Sequence, residues 1–174
     1  KPVAHITAIT HRRSPYFQSL LTGKPVTENH ILKSIPFEVS LCRMLRMQFP
    51  TVERVAIPPS GGVSFYVAIA MRPRFAGEAR QAILAAMASN IRPKWVIVVE
   101  PDIEIHDSSE MEWAMCFRVQ PNCDVFMIER TPVGPADPSI DDKVPLAERT
   151  SAVVGIDATR PFGKPFADAA DVPG

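Results

Sequence analysis

The 174 residues suit one domain of ordinary size, and 46% hydrophobic with 22% charged residues is the balance of a globular protein in water. Lys plus Arg equals Asp plus Glu at 19 each, so no global field draws the chain to nucleic acid or to an anionic membrane surface. The longest apolar runs are too short to span a bilayer, and Cys42, Cys116 and Cys123 are too few and scattered for a disulfide framework or a zinc ribbon.

In chain order, His5, Thr7 and Ile9 alternate with Ala4, Ile6 and Ala8, which predicts a strand, ended by the basic turn His11-Arg12-Arg13-Ser14-Pro15. A loop with Gly23 and Pro25 follows. Residues 28–49 are helical in character, with a break expected near Pro36 and a buried stripe of Phe37, Leu41, Met44 and Leu45. Residues 52–57 read as a short strand, closed by Pro58-Pro59-Ser60-Gly61-Gly62. Residues 63–71 are nearly all β-formers, as in a strand covered on both faces. A helix is expected over residues 76–90, with Ala79, Ile83, Ala86 and Met87 on one face, then a strand over residues 95–99. Asp107 or Ser108 caps a helix running to Arg118, and residues 125–128 form another strand. Residues 131–150 change to Pro and Asp with few aromatics, an extended or mobile loop and a candidate crossover arm. A last short strand is expected at 152–156. Strands alternating with helices predict an α/β fold, a mixed β-sheet flanked by helices, which a strict definition places in α+β. Met44, Met47, Met87 and Met111 read as core.

Three features carry potential chemistry. Glu100 to Asp107 follows a buried strand, where ligands sit in open α/β sheets. Asp102, Glu104 and His106 share a period of two, so an extended segment turns them one way, as a metal-dependent hydrolase requires. The plainer reading is a solvated acidic loop capping the next helix, favoured because no second ligand cluster accompanies it. His5, His11, His30 and His106 are spread out and read as surface or structural groups. His11-Arg12-Arg13 has the guanidinium forks to grip a carboxylate or phosphate, although exposed basic turns are common. Gly61-Gly62 lacks dinucleotide or phosphate-loop spacing, and Ser60 and Ser64 lack an esterase elbow.

Several stretches together resemble one known family. ITAITHRRSPYF, TGKPVTENHIL, RMQFPTVERVAIPPSGGVSFYVAIA, FAGEARQAILAA, KWVIVVEPDIEIHDSSEMEWAMCFRVQP, ERTPVGPADPS and GIDATRP are similar, in order and spacing from about Val3 to Pro161, to the C-terminal third of the UbiD decarboxylases. Glu78 stands where the family often has His, and Glu100-Pro101-Asp102 where it often has a run of aspartates.

The resemblance implies a domain over residues 1–161, including the 131–150 loop, with an irregular tail at 162–174. It implies the C-terminal part of a cytoplasmic, prenylated-FMN-dependent, non-oxidative decarboxylase of aromatic or α,β-unsaturated carboxylic acids, inactive alone. The flavin, a divalent metal (Mn or Mg) and potassium belong on a flavin-binding domain outside this sequence, so no catalytic, cofactor-binding or metal residue is assigned here. In such an enzyme the cofactor carries the difficult chemistry and the protein positions it. Expected partners are the N-terminal and flavin-binding domains, in the same or a separate chain, the small acid substrate, and further copies in a homo-oligomer. No nucleic-acid partner or membrane span is expected. Beginning at Lys1 inside an alternating stretch, the chain is expected to be part of something larger. Leu32 (beside Ile31 and Lys33), Pro132 and Val133 match places where the family presents substrate-pocket walls, and a hinge motion against the flavin domain follows by analogy. The competing expectation is a non-catalytic assembly or accessory subunit of the same fold, working with a separate flavin-binding chain.

Overall fold

The computed structural model describes residues 3–21, 23–24, 26–132, 134 and 137–167. The elements are α1 (Glu28–Arg46), β1 (Val52–Ala56), β2 (Tyr66–Met71), α2 (Glu78–Met87), β3 (Trp95–Val99), α3 (Ser108–Arg118), α4 (Pro121–Asp124), β4 (Val125–Pro132) and β5 (Thr150–Asp157), with single 3-10 turns at Pro59–Gly61 and Leu146–Glu148. The five strands form one sheet in the order β1-β2-β3-β5-β4. The central three are parallel, and β1 and β4 run antiparallel at the edges. This is the mixed sheet with flanking helices that the alternation of patterns predicts.

Strand alternation sends the two sets of side chains to opposite faces. On one face Val55, Val67, Ile69, Met71, Val96 and Val98 pack with Leu41 and Leu45 of α1 and with Ala79, Ala82, Ile83 and Ala86 of α2. On the other, Ala56, Ala68, Ala70, Ile97 and Val99 meet Ile103, Ile105, Met111 and Ala114. Three alanines there let the turn after β3 and helix α3 lie close to the sheet. Burying a Leu or Ile side chain contributes about 2 kcal/mol, so both faces are needed to offset chain entropy.

Several expectations are corrected. Residues 3–10 form no strand: from Val3 to Leu21 every residue is exposed, so the alternating pattern has no partner strand among the described residues to supply ladder hydrogen bonds. The helix is not broken at Pro36, which lies inside a continuous α1. The missing N–H and the ring clash fall on an exposed position there, where water reaches the freed carbonyl and the buried stripe on the opposite face carries the helix onward. β2 begins at Tyr66 rather than Val63, because Gly62 and Val63 both take the left-handed conformation (φ +69° each) and prolong the turn. β4 runs on to Pro132 across a bulge between Ile128 and Thr131, so Thr131 belongs to the ladder rather than to the loop. β5 is longer than residues 152–156. Met47 is 79% exposed and is not core, unlike Met111, because α1 ends one turn before the chain folds back.

Candidate functional site

β1 leads Val52 against Met71, the last residue of β2, so it starts at the carboxyl end of the parallel strands. Arg46 donates from Nε to Val52 O (2.8 Å), which puts the end of α1 there too. The acidic turn after β3 lies at this end, and its charges are fully engaged. Arg118, whose side chain is 2% exposed, donates from Nη2 to Asp102 Oδ2 (2.6 Å) and from Nη1 to Asp102 Oδ1 (3.2 Å), with Glu100 Oε2 at 3.5 Å. Arg160, just beyond β5, adds Nη2 to Asp102 Oδ2 (2.7 Å) and its backbone N–H to Glu100 Oε2 (3.2 Å). Hydrogen bonds from Arg118 hold the Asp102 carboxyl below its ordinary value, against the opposing push of burial and with the further help of both guanidinium charges.

Arg54 of the edge strand fastens the rest of the turn. It donates to Glu104 Oε2 (2.6 Å) and to the carbonyls of Pro101 and Ile103 (3.1 Å each). The backbone N–H of His106, then Arg54, lower the Glu104 pKa. The turn therefore does not bring Asp102, Glu104 and His106 together: the first goes to Arg118 and Arg160, the second to Arg54, and His106 stays exposed. Among the described residues no group of three or more His, Cys, Asp or Glu side chains is placed to hold a metal ion.

The helix starts are likewise in use. Thr27 N–H donates to His30 Nδ1 (3.1 Å) at α1, with the buried imidazole in the role usually taken by Glu or Gln. The Asp107 side chain accepts from Ser109 N–H at α3 (2.8 Å), as the capping pattern predicts. At α2 the fully buried Glu78 accepts from the N–H of Arg74 and pairs with its guanidinium (2.6 Å). Each of these helix starts carries its own acidic or capping side chain. The described residues therefore do not fit a flavin phosphate or its metal, and no chemical step is derived through either.

The other end of the sheet gathers different groups. Glu38 accepts from Ile57 N–H (2.8 Å), so the first turns of α1 extend past the amino ends of β2 and β3. Leu32, 65% exposed, lies there. Pro132 pairs with Thr150, the first residue of β5, which puts it at the same end. The structure thus brings two of the expected wall positions to one end of the domain, while Val133 lies outside the described residues. A groove of about 620 Å³ opens at this end, lined by Phe65, Tyr66, Trp95, His106, Met111 and Met115. Burial raises the pKa of the Tyr66 hydroxyl.

Sequence reasoning missed the role of Arg118, although a signal existed: Met111, Ala114 and Arg118 follow one helical stripe, so a guanidinium on it must be buried and needs carboxylates. It also missed the pairing of Lys94 with Asp137, for which no local pattern exists across 43 residues.

Residues 30–158 match the family described as 3-octaprenyl-4-hydroxybenzoate carboxy-lyase C-terminal domain. The chain is 33% identical over 159 residues to an anhydromevalonate phosphate decarboxylase of Methanocaldococcus jannaschii, covering 91% of this chain and 36% of that protein. A protein of the same name from Methanosarcina mazei is 31% identical over 160 residues, with 92% and 36% covered. Among solved structures, the UbiD-class enzyme HmfF from Pelotomaculum thermopropionicum in complex with FMN superposes with a TM-score of 0.77 at 34% identity, covering 84% of this chain and 32% of that one. The vanillic acid decarboxylase of Sedimentibacter hydroxybenzoicus has been seen in open and closed forms. The closed form gives a TM-score of 0.74 at 28% identity, with 95% and 34% covered. The chain spans little more than a third of the curated relatives it matches. It belongs to the UbiD family of carboxy-lyases, and what it carries is that family's C-terminal domain.

Proposed function

We propose that this chain is the C-terminal part of a cytoplasmic, prenylated-FMN-dependent, non-oxidative decarboxylase of aromatic or α,β-unsaturated carboxylic acids. On this reading the domain runs over residues 1–161, with 162–174 as its tail. The flavin, its divalent metal and potassium sit on the remaining domains of the enzyme. The observation that carries the reading is the likeness to decarboxylases over nearly the whole chain, with which the placement of Leu32 and Pro132 toward the amino end of the sheet agrees. Those two residues, with Val133, line the substrate side of the pocket, where their work is to shape the cavity and exclude water. The exposed apolar residues Ile31, Ile35 and Val39 of α1, with Tyr16 and Phe17, supply surface for the remaining domains and for other copies in an oligomer.

The second reading is a non-catalytic accessory subunit of the same fold working with a separate flavin-binding chain; both readings place the flavin and its metal off this domain. A single measurement separates the two. The native polypeptide bearing this sequence is purified from its source, its intact mass is taken, and its flavin absorbance and carbon dioxide release are recorded. The first reading expects a mass of roughly three times that of this chain, in line with a multidomain enzyme, with flavin bound. A native mass of 19.2 kDa without flavin would leave only the accessory reading. In the flavin-bearing enzyme, Leu32→Arg or Pro132→Arg should lower kcat/KM by at least about tenfold while flavin stays bound.

A further inference from the structure

Lys94 is the residue before β3, and its backbone is fixed on both sides: its N–H donates to Phe65 O (2.9 Å), and its carbonyl accepts from Val154 N–H (2.8 Å). Its ammonium group reaches sideways into the segment that follows β4. Nζ donates to Asp137 Oδ1 (2.9 Å) and to Ser139 Oγ (2.7 Å). Oδ2 lies 2.8 Å from Nζ but outside hydrogen-bonding geometry, and it has no hydrogen-bond partner among the described residues. The Asp137 side chain is 2% exposed and that of Lys94 is 23% exposed. The same carboxylate organises its own loop: Oδ1 accepts from Ser139 N–H (3.0 Å) and Ser139 Oγ–H (2.8 Å), and the Asp137 carbonyl accepts from Ile140 N–H (3.4 Å).

Little else in this loop is buried. Residues 138, 139, 141–143 and 145–148 are exposed, and Asp137 is the loop's one buried position among the described residues from 137 to 149. A carboxylate desolvated to that degree holds its place only while its cation is present. Loops of this length are otherwise free to sample many conformations.

We propose that Lys94 and Asp137 are positioning residues: their ion pair latches the loop that begins at Asp137 onto the amino end of the sheet, the end at which β4 finishes with Pro132. The inference rests on the reading of Pro132 as pocket wall. It makes the shape of that wall depend on a lysine 38 residues earlier in the sequence.

Hydrogen exchange of the chain tests this, with the amides of Ser139 and Ile140 as reporters of the loop and those of Val96, Ile97, Val98 and Val99 as reporters of the sheet. Lys94→Met and Asp137→Asn should each speed exchange at the loop reporters by about tenfold or more, as for a local opening that leaves the global fold intact. The sheet reporters should keep their wild-type protection. The double variant should exchange no faster than the faster single one, because both remove the same contact. Lys94→Arg, which keeps the charge, should recover most of the protection. Unchanged loop exchange in Lys94→Met would overturn the latch, as would equal loss at the sheet reporters, full additivity in the double variant, or Lys94→Arg behaving like Lys94→Met. The readout needs neither flavin nor substrate, so the latch can fail while the decarboxylase reading stands. A native polypeptide without flavin would sink that reading and leave the exchange result intact.

Discussion

At the residue scale, Arg118 decides how the acidic turn is held. Its side chain sits between Glu100 and Asp102, and its guanidinium carbon lies 5.3 Å from the Trp113 ring centroid, while Nε is buried without a hydrogen-bond partner among the described residues. Removing a buried partner leaves charge uncompensated, yet Asp102 is 40% exposed and keeps Arg160, so the loss is smaller than for a fully buried pair. Arg118→Met is therefore expected to cost about 2–3 kcal/mol, measured as the fall in unfolding free energy in urea. Arg118→Lys should recover less than half of that, because an ammonium group cannot repeat the two-oxygen contact with Asp102. A Met variant within about 0.5 kcal/mol of wild type, the range of an ordinary surface change, would show that the network does not hold the turn. The sequence showed the ingredients of this site as an acidic run and an Arg at the end of a helix. Which carboxylate met which guanidinium depended on the turn at 100–106 folding back along the sheet, and no periodicity encodes that.

At the element scale, β5 packs closely against its neighbours at Gly155. It lies between β3 and β4, and Gly155 faces Val96 on one side and Phe126 on the other. A Cβ at Gly155 would stand 2.6 Å from Ile83 Cγ2 and 2.6 Å from Phe126 Cζ, closer than real contacts allow. The Phe126 ring has little freedom to retreat, because the Arg80 guanidinium stacks over it at 4.2 Å. Gly155→Ala should accordingly cost about 1–3 kcal/mol through overpacking. Adding Phe126→Leu opens room and should make the double variant less than additive in equilibrium unfolding. Full additivity would mean that the strain lies elsewhere. Residues 152–156 read as a strand from sequence, but the need for glycine did not, since it arises from α2 and β4 meeting over one backbone position.

At the scale of the whole molecule, four carboxyls at three places, two of them in the acidic turn, titrate below their ordinary range. Burial alone would raise Glu78 and Asp137, but hydrogen bonds and charge from Arg74, and from Lys94 with Ser139, outweigh it. Asp102 and Glu104 are lowered chiefly by hydrogen bonds, from Arg118 and from the His106 amide respectively. A carboxyl that binds its proton less readily folded than unfolded makes stability rise with pH across the window between the two values. The contribution is complete above the unfolded-chain values near pH 4 and is lost as pH falls through the folded ones. The urea midpoint should thus be insensitive to these groups between about pH 5 and 7 and fall steeply below about pH 4. A midpoint that stays level to about pH 2.5 would contradict the lowered values. Asp102→Asn should flatten part of the acid limb.

From sequence alone came the class of fold, the position of β3, the Asp107 cap, the buried stripe of α1 and the family resemblance that the comparisons bear out. All of these rest on local patterns: period two or period 3.6 in apolar residues, a capping side chain, and motifs in fixed order. The tertiary structure decided what those patterns leave open. It left the alternating residues 3–10 without a strand partner among the described residues and carried α1 through Pro36. It divided the acidic run among three arginines, and it brought Leu32, Pro132 and Lys94 to one end of the sheet. The physical reason is common to all four: hydrogen-bond partners, desolvated charges and shared ends are set by strand order and by how helices cover the sheet, which are relations between distant segments rather than properties of any one of them.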